Sequence, residues 1–173
     1  MLRPTSRKIL VAFSISATMI SATYAAVNDV VRYAVANSSV PVAAAVEVPA
    51  SASIVYLSGK LPPIQDSSQP LDSPLAYGGD TKGQTVAVLR AIELALSNIG
   101  LGLGDVVKMQ VFLVGDPALD NRMDLKGFAD GYAQFFGTDV QPNLPARTTL
   151  QVAGLANRGM RVEIDVVAVR RNE

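Results

Sequence analysis

Arg147 and Glu163 are the residues of this sequence best suited to chemistry on a small anion. Arg147 follows Pro145-Ala146 and precedes an alternating stretch, Thr148 to Ala153, while Glu163 sits inside the apolar run Met160 to Val169. A guanidinium stays charged and can hold a carboxylate through two parallel hydrogen bonds. A carboxylate nearby can fix a water molecule and move its proton. Read as members of two neighbouring strands, the pair would grip a small carboxylate and set a water beside it. From the residues alone, a structural ion pair accounts for Arg147 equally well, with Asp165 or Glu163 as partner. Glu163 can likewise answer Arg161 or Arg158.

Composition narrows the chemistry. The chain has no Cys and no His. That excludes a thiolate nucleophile, a Ser-His-Asp triad, a Cys/His zinc site and an imidazole base. Catalysis must rest on Arg, Lys, Asp, Glu, Tyr, Ser, Thr, backbone groups or bound water.

A length of 173 residues, 49% of them apolar, suits one globular domain with a real core. The N-terminus has the order of a secretory signal: basic Arg3, Arg7 and Lys8, an apolar run from Ile9 to Ala22, then small residues at Thr23-Tyr24-Ala25. We expect residues 1–25 to be a signal peptide, cut after Ala25 or Ala26, and 26–173 to be the domain. The alternative is an uncleaved anchor, against which the run is short and carries several Ser and Thr. A periplasmic or secreted protein with no stable membrane anchor is expected. Cleavage would remove three of the 15 basic residues and none of the 15 acidic ones, for a net charge of −3. An acidic chain is a poor electrostatic binder of nucleic acid.

The elements that must position the pair follow from periodicity. Val27 to Val35 reads as a first strand, and Val40 to Pro49, punctuated by Pro41 and Pro49, as an edge or loop segment. Ser53 to Gly59 is a strand ending in Ser58-Gly59, and Leu61 to Gly83 a long irregular stretch. Val86, Leu89, Ile92, Leu96 and Ile99 recur at helical spacing over 84–99, with Asp80 or Thr81 as the cap. Asp105 to Val114 alternates as a strand, with Val107, Met109, Val111 and Leu113 on one face. A second helix presents Leu125, Phe128, Ala129, Tyr132, Phe135 and Phe136, an aromatic stripe best read as core. In the last strand Val162, Ile164, Val166 and Ala168 share a face, opposite Glu163 and Asp165. Strands, helix, strand, helix and two strands give an α+β fold with both helices on one sheet face. The other face has no helix left to cover it, and a homo-oligomer follows.

Several of these stretches, in this order, carry a resemblance. They are Tyr56-Leu57-Ser58-Gly59-Lys60-Leu61-Pro62, Gln84-Thr85, Asp105-Val106-Val107-Lys108, Val111-Phe112-Leu113 and Tyr132-Ala133-Gln134-Phe135-Phe136, then Pro145-Ala146-Arg147-Thr148-Thr149 and Val162-Glu163-Ile164-Asp165. Together they resemble the Rid family, also called YjgF/YER057c/UK114, of reactive imine/enamine deaminases, from about Val40 to Val169.

The resemblance implies a chorismate-mutase-like α+β fold, a homotrimer with a cleft between subunits, and no cofactor. It also implies hydrolysis of 2-imino acids such as 2-iminopropanoate and 2-iminobutanoate to 2-keto acids and ammonia. Arg147 matches the arginine that binds the substrate carboxylate, and Glu163 the carboxylate that positions water. Ser58 and Gly59 match the pair lining the cleft. Thr149 stands where many members have Cys. The family often has Gly-Pro-Tyr-Ser near its N-terminus, whereas Ser39-Val40-Pro41-Val42-Ala43-Ala44 has no Tyr, which bears on substrate range. A binding module for a small carboxylate is the competing reading. A ribonuclease activity, also attached to some members, is disfavoured by the acidic mature chain and the missing His.

Overall fold

The structure, a computed structural model, describes residues 29–171. The N-terminal segment expected to be a signal, the first two residues of the expected first strand and the last two residues of the chain lie outside them.

Six strands form one mixed sheet: β1 (Val31–Ala34), β2 (Ala43–Glu47), β3 (Ser53–Tyr56), β4 (Val106–Val114), β5 (Ala146–Val152) and β6 (Val162–Arg170). Their order across the sheet is β1-β2-β5-β4-β6-β3. Two helices, α1 (Thr81–Ser97) and α2 (Leu125–Tyr132), cover one face. β4 and β5 are parallel neighbours joined through α2, the connection a parallel pair requires. β6 inserts antiparallel between β4 and β3.

The core lies between the helices and the central strands. Met109, Val111 and Leu113 from β4 and Val162, Ile164 and Val166 from β6 meet Val88, Leu89, Ile92 and Leu96 of α1. Alternation in both strands is therefore real, with helix-facing residues buried and their neighbours half-exposed. Each side chain of this kind contributes about 1.5–3 kcal/mol by leaving water.

Both helices begin at an aspartate. Asp80 Oδ1 accepts from the Gly83 N–H at 2.8 Å, and Asp124 Oδ1 from the Gly127 N–H at 2.8 Å. Each bond satisfies a donor the first helical turn cannot pair internally. At residue 131 the helices press together. A Cβ on Gly131 would lie 2.8 Å from Thr85 Cβ and 3.0 Å from the Lys82 carbonyl, so only glycine permits this approach.

Four expectations need correction. The segment around Pro41 and Pro49 is neither loop nor edge: β2 lies between β1 and β5, and the prolines fall just outside it. It touches β5 at a single rung, Ala43 beside Ala146. β3 ends at Tyr56, so Ser58 and Gly59 follow the strand rather than close it. Ile99 is 41% exposed because α1 ends before it, at Ser97, and the buried stripe of that helix also takes in Thr81, Gln84 and Thr85 at its other end. Leu125 and Ala129 are exposed, and Phe128, Gly131, Tyr132 and Phe136 form the contact face.

Candidate functional site

Strand pairing decides where each candidate points. Arg147 pairs with Met109, a fully buried residue of the helix-facing side. Paired residues of adjacent strands share a face, so Arg147 and, two residues on, Thr149 face the helices. Glu163 pairs with Phe112, on the opposite face, and so points away from the helices. β4 lies between the two strands, so Arg147 and Glu163 are neither on neighbouring strands nor on the same face. The placement on neighbouring strands expected from the sequence is therefore not found, and the pair does not meet within one chain.

Arg147 sits on aromatic rings. Its Cζ lies 4.4 Å from the centroid of Tyr132 and 4.9 Å from that of Phe128. Tyr132 is itself stacked on Phe136, centroids 4.8 Å apart and planes within 7°, and tilted against Phe128 at 5.7 Å. A cation over the negative face of a ring is attracted by the ring quadrupole, more strongly where water is excluded. Burial lowers the Arg147 pKa from its ordinary value, with nearby Tyr132 acting against that shift. Burial also raises the Tyr132 hydroxyl to about 12, opposed by the charge of Arg147.

No acid answers this charge among the described residues. Their ion pairs are Lys126 with Asp130 and Arg171 with Asp29, both on the surface. The ion pair that competed for Arg147 in the sequence, with Asp165 or Glu163, is therefore not formed, since both acids stand on the other face. Arg147 Nη1 and Tyr132 Oη are buried without a hydrogen-bond partner among these residues.

Glu163 belongs to a second cluster. Its carboxylate lies against Gly59, where a Cβ would collide with Oε1 and stand 3.2 Å from Cδ. The chain is pinned there by the Leu57 N–H to the Val166 carbonyl at 3.0 Å and the Lys60 N–H to the Ile164 carbonyl at 2.8 Å. Ser58 and Gly59, both exposed, thus border Glu163 on the uncovered face. Arg161 does not pair with Glu163; its Nη1 donates to the Gly115 carbonyl at 2.9 Å.

Two further features of this face are polar. Asp165 Oδ1 is buried without a hydrogen-bond partner among the described residues. Tyr56, Leu57, Lys108, Gln110, Asp165 and Val167 contribute to a recess of about 140 Å³.

A buried amide fixes the approach to Glu163. Gln84 Nε2 donates to the Gly159 carbonyl at 2.8 Å, and Gln84 Oε1 accepts from the Arg161 N–H at 2.7 Å. Sequence reading placed Gln84 in a motif without a role, and its signal was a polar residue in an otherwise buried helical stripe. Tyr132 and Phe128 were legible only as core, which they are. That they also carry a cation depended on the facing of β5.

The five candidates therefore fall into two groups on opposite faces: Arg147 and Thr149 beneath the helices, and Ser58, Gly59 and Glu163 on the bare side. A guanidinium without a counter-ion can receive a carboxylate, and a half-exposed carboxylate can orient a water. Within one chain these are two halves.

Comparison with known proteins agrees with the fold. The model of the Endoribonuclease L-PSP family matches residues 50–170. TdcF of Escherichia coli K12 is 30% identical over 121 residues, spanning 68% of this chain and 80% of that protein. The 2-iminobutanoate/2-iminopropanoate deaminase of Salmonella typhimurium is 30% identical over 121 residues, 69% of this chain and 81% of that one. The crystal structure of E. coli TdcF with bound serine superimposes with a TM-score of 0.52 at 29% identity, covering 68% of this chain and 81% of that one. The Rid-family protein YyfB of Yersinia pestis, at 22% identity, shares the fold with a TM-score of 0.59 over 80% of this chain and 95% of its own. The α+β architecture, the strand pairing and these matches together place the chain in the Endoribonuclease L-PSP family, the Rid or YjgF family.

Proposed function

We propose that this protein hydrolyses small reactive 2-imino acids to 2-keto acids and ammonia without a cofactor. The observation that carries the reading is Arg147: largely buried, held on two aromatic rings, and facing no acid among the described residues. Such a cation is prepared for a carboxylate, and a 2-imino acid presents one beside its reactive carbon. Arg147 clamps that carboxylate, with Thr149 on the same face. Glu163 holds a water and takes its proton as the oxygen bonds to C2. The C–N bond then breaks, the nitrogen leaves as ammonia after gaining protons, and C2 becomes the keto carbon.

Because Arg147 and Glu163 lie on opposite faces, one chain supplies each substrate with only one of them. The proposal therefore includes a homo-oligomer, a trimer by family resemblance, with each site between subunits. Ser58, Gly59 and Glu163 of one protomer would face Arg147 and Thr149 of its neighbour. The exposed face that carries Tyr56 at 78% and Leu150 at 47% exposure supports such an assembly. The proposal also places the mature chain in the periplasm or outside the cell, on the order of its N-terminal residues.

An imine-deamination assay tests the reading. Arg147→Ala should lose turnover of 2-iminobutanoate while keeping the oligomer of the wild type. Normal turnover by that variant overturns the clamp.

A second reading has its own support. The stretch Ser39 to Ala44 lacks the tyrosine common in the family, so the same cleft would bind a small carboxylate without turning it over. Saturable thermal stabilisation by 2-oxobutanoate with no ammonia released from imines would select binding.

A further inference from the structure

We propose that Tyr132, supported by Phe128, is a positioning residue that orients the Arg147 guanidinium for its ligand; this rests on the reading of Arg147 as the carboxylate clamp. Clamping arginines are commonly aimed by an acid that also cancels part of their charge. Here no acid lies within ion-pair reach among the described residues, and two rings take its place. Rings orient a planar guanidinium by stacking while leaving its charge uncompensated. The Tyr132 ring is fully buried and fixed from its other contacts by the 4.8 Å stack on Phe136 and the 5.7 Å contact with Phe128. Its position is set in turn by Gly131, whose missing Cβ lets α2 seat directly on Thr85 of α1. A rigid seat thus runs from the helix crossing to the cation.

The seat is the aromatic face, not the hydroxyl. Tyr132 Oη is buried and makes no well-aligned hydrogen bond among the described residues, although it lies close enough to the guanidinium to favour its charge, so a ligand arriving from solvent does not meet it first. This separates two substitutions. Tyr132→Phe keeps the ring and should keep the clamp; Tyr132→Leu keeps bulk but removes the quadrupole.

The test combines 2-oxobutanoate binding by calorimetry with steady-state kinetics on 2-iminobutanoate. Tyr132→Phe should stay within about two-fold of wild type. Tyr132→Leu should weaken binding about ten-fold or more, with KM rising by a larger factor than kcat falls. Phe128→Leu, which removes the more distant ring, should fall between them. The Nε–H proton of Arg147, assigned by its loss in Arg147→Lys, should appear upfield of a free arginine through the ring currents. That measurement uses wild-type protein and stands even where Tyr132→Leu fails to fold. A folded Tyr132→Leu that binds like wild type, or an Arg147 resonance at the free position, overturns the proposal. Wild-type protein that neither binds 2-oxobutanoate nor turns over the imine defeats the clamp reading instead, while the ring-current shift still reports the seat.

Discussion

Arg147 and Glu163 stand on opposite faces of one sheet, separated by β4, with Arg147 beside Met109 and Glu163 beside Phe112. This relationship makes subunit complementation a direct test. Arg147→Ala and Glu163→Gln should each be inactive alone on 2-iminobutanoate. If every site takes its arginine from one protomer and its glutamate from the next, co-refolding equal amounts restores about a quarter of the sites by random assortment. Activity of the mixture that stays at the level of the separate variants would refute a shared site.

Gly59 tests the other half. A Cβ there would occupy the space of the Glu163 carboxylate, whose end is the movable part of the contact. Gly59→Ala should therefore displace the carboxylate rather than unfold the chain. The expected result is kcat lower by roughly 10–100-fold, since small misplacements of a reacting group act on that scale. Stability by urea unfolding should change by no more than about 0.5 kcal/mol.

At the helix crossing the balance reverses. Gly131→Ala inserts a methyl between α2 and Thr85, against backbone that cannot easily yield. Overpacking of this kind destabilises by about 1–3 kcal/mol. Chemical denaturation should show that loss, together with weaker 2-oxobutanoate binding as the Tyr132 seat shifts.

Tyr132 also sets an alkaline limit. Burial raises its hydroxyl from 10.0 to about 12, so the folded state holds the proton where the unfolded chain releases it. The resulting stability is whole below pH 10 and lost as pH rises toward 12, about 2–3 kcal/mol in all. Urea midpoints measured between pH 9 and 11.5 should fall for wild type, and fall less steeply for Tyr132→Phe. Equal slopes for the two proteins would contradict the assigned burial.

Much of the fold was readable from periodicity alone, and the reasons are local. The alternation of Val107, Met109, Val111 and Leu113 needs only one buried face, and β4 has one. The stripe of α1 was partly legible through Leu89, Ile92 and Leu96, while Gln84 and Thr85 were hidden by being polar. The mutual facing of Arg147 and Glu163 was not legible. It depends on strand order, and two strands adjacent in sequence are separated here by one that comes earlier. Gly131 escaped for a similar reason: its contact consists of an absent side chain, which no hydrophobic pattern records. The proline-flanked β2 was discounted because a proline inside a strand breaks its ladder, yet both prolines stop short of the paired residues.

The single rung joining β2 to β5 divides the molecule in its dynamics. Between Ala43 and Ala146 there is one paired position, backed by the Ala43 N–H to the Pro145 carbonyl at 3.0 Å. Beyond it, Arg32 Nη2 reaches from β1 to the Gly104 carbonyl at 2.8 Å. β4 and β6, by contrast, share an unbroken ladder from Lys108 to Leu113, with Val106 paired beyond a register shift. The β1–β2 hairpin can therefore open as a cooperative unit of its own, at a free energy below that of global unfolding. Amide hydrogen exchange should show its protons leaving early, with a denaturant dependence weaker than that of global unfolding, while those of β4 and β6 wait for the whole domain to unfold.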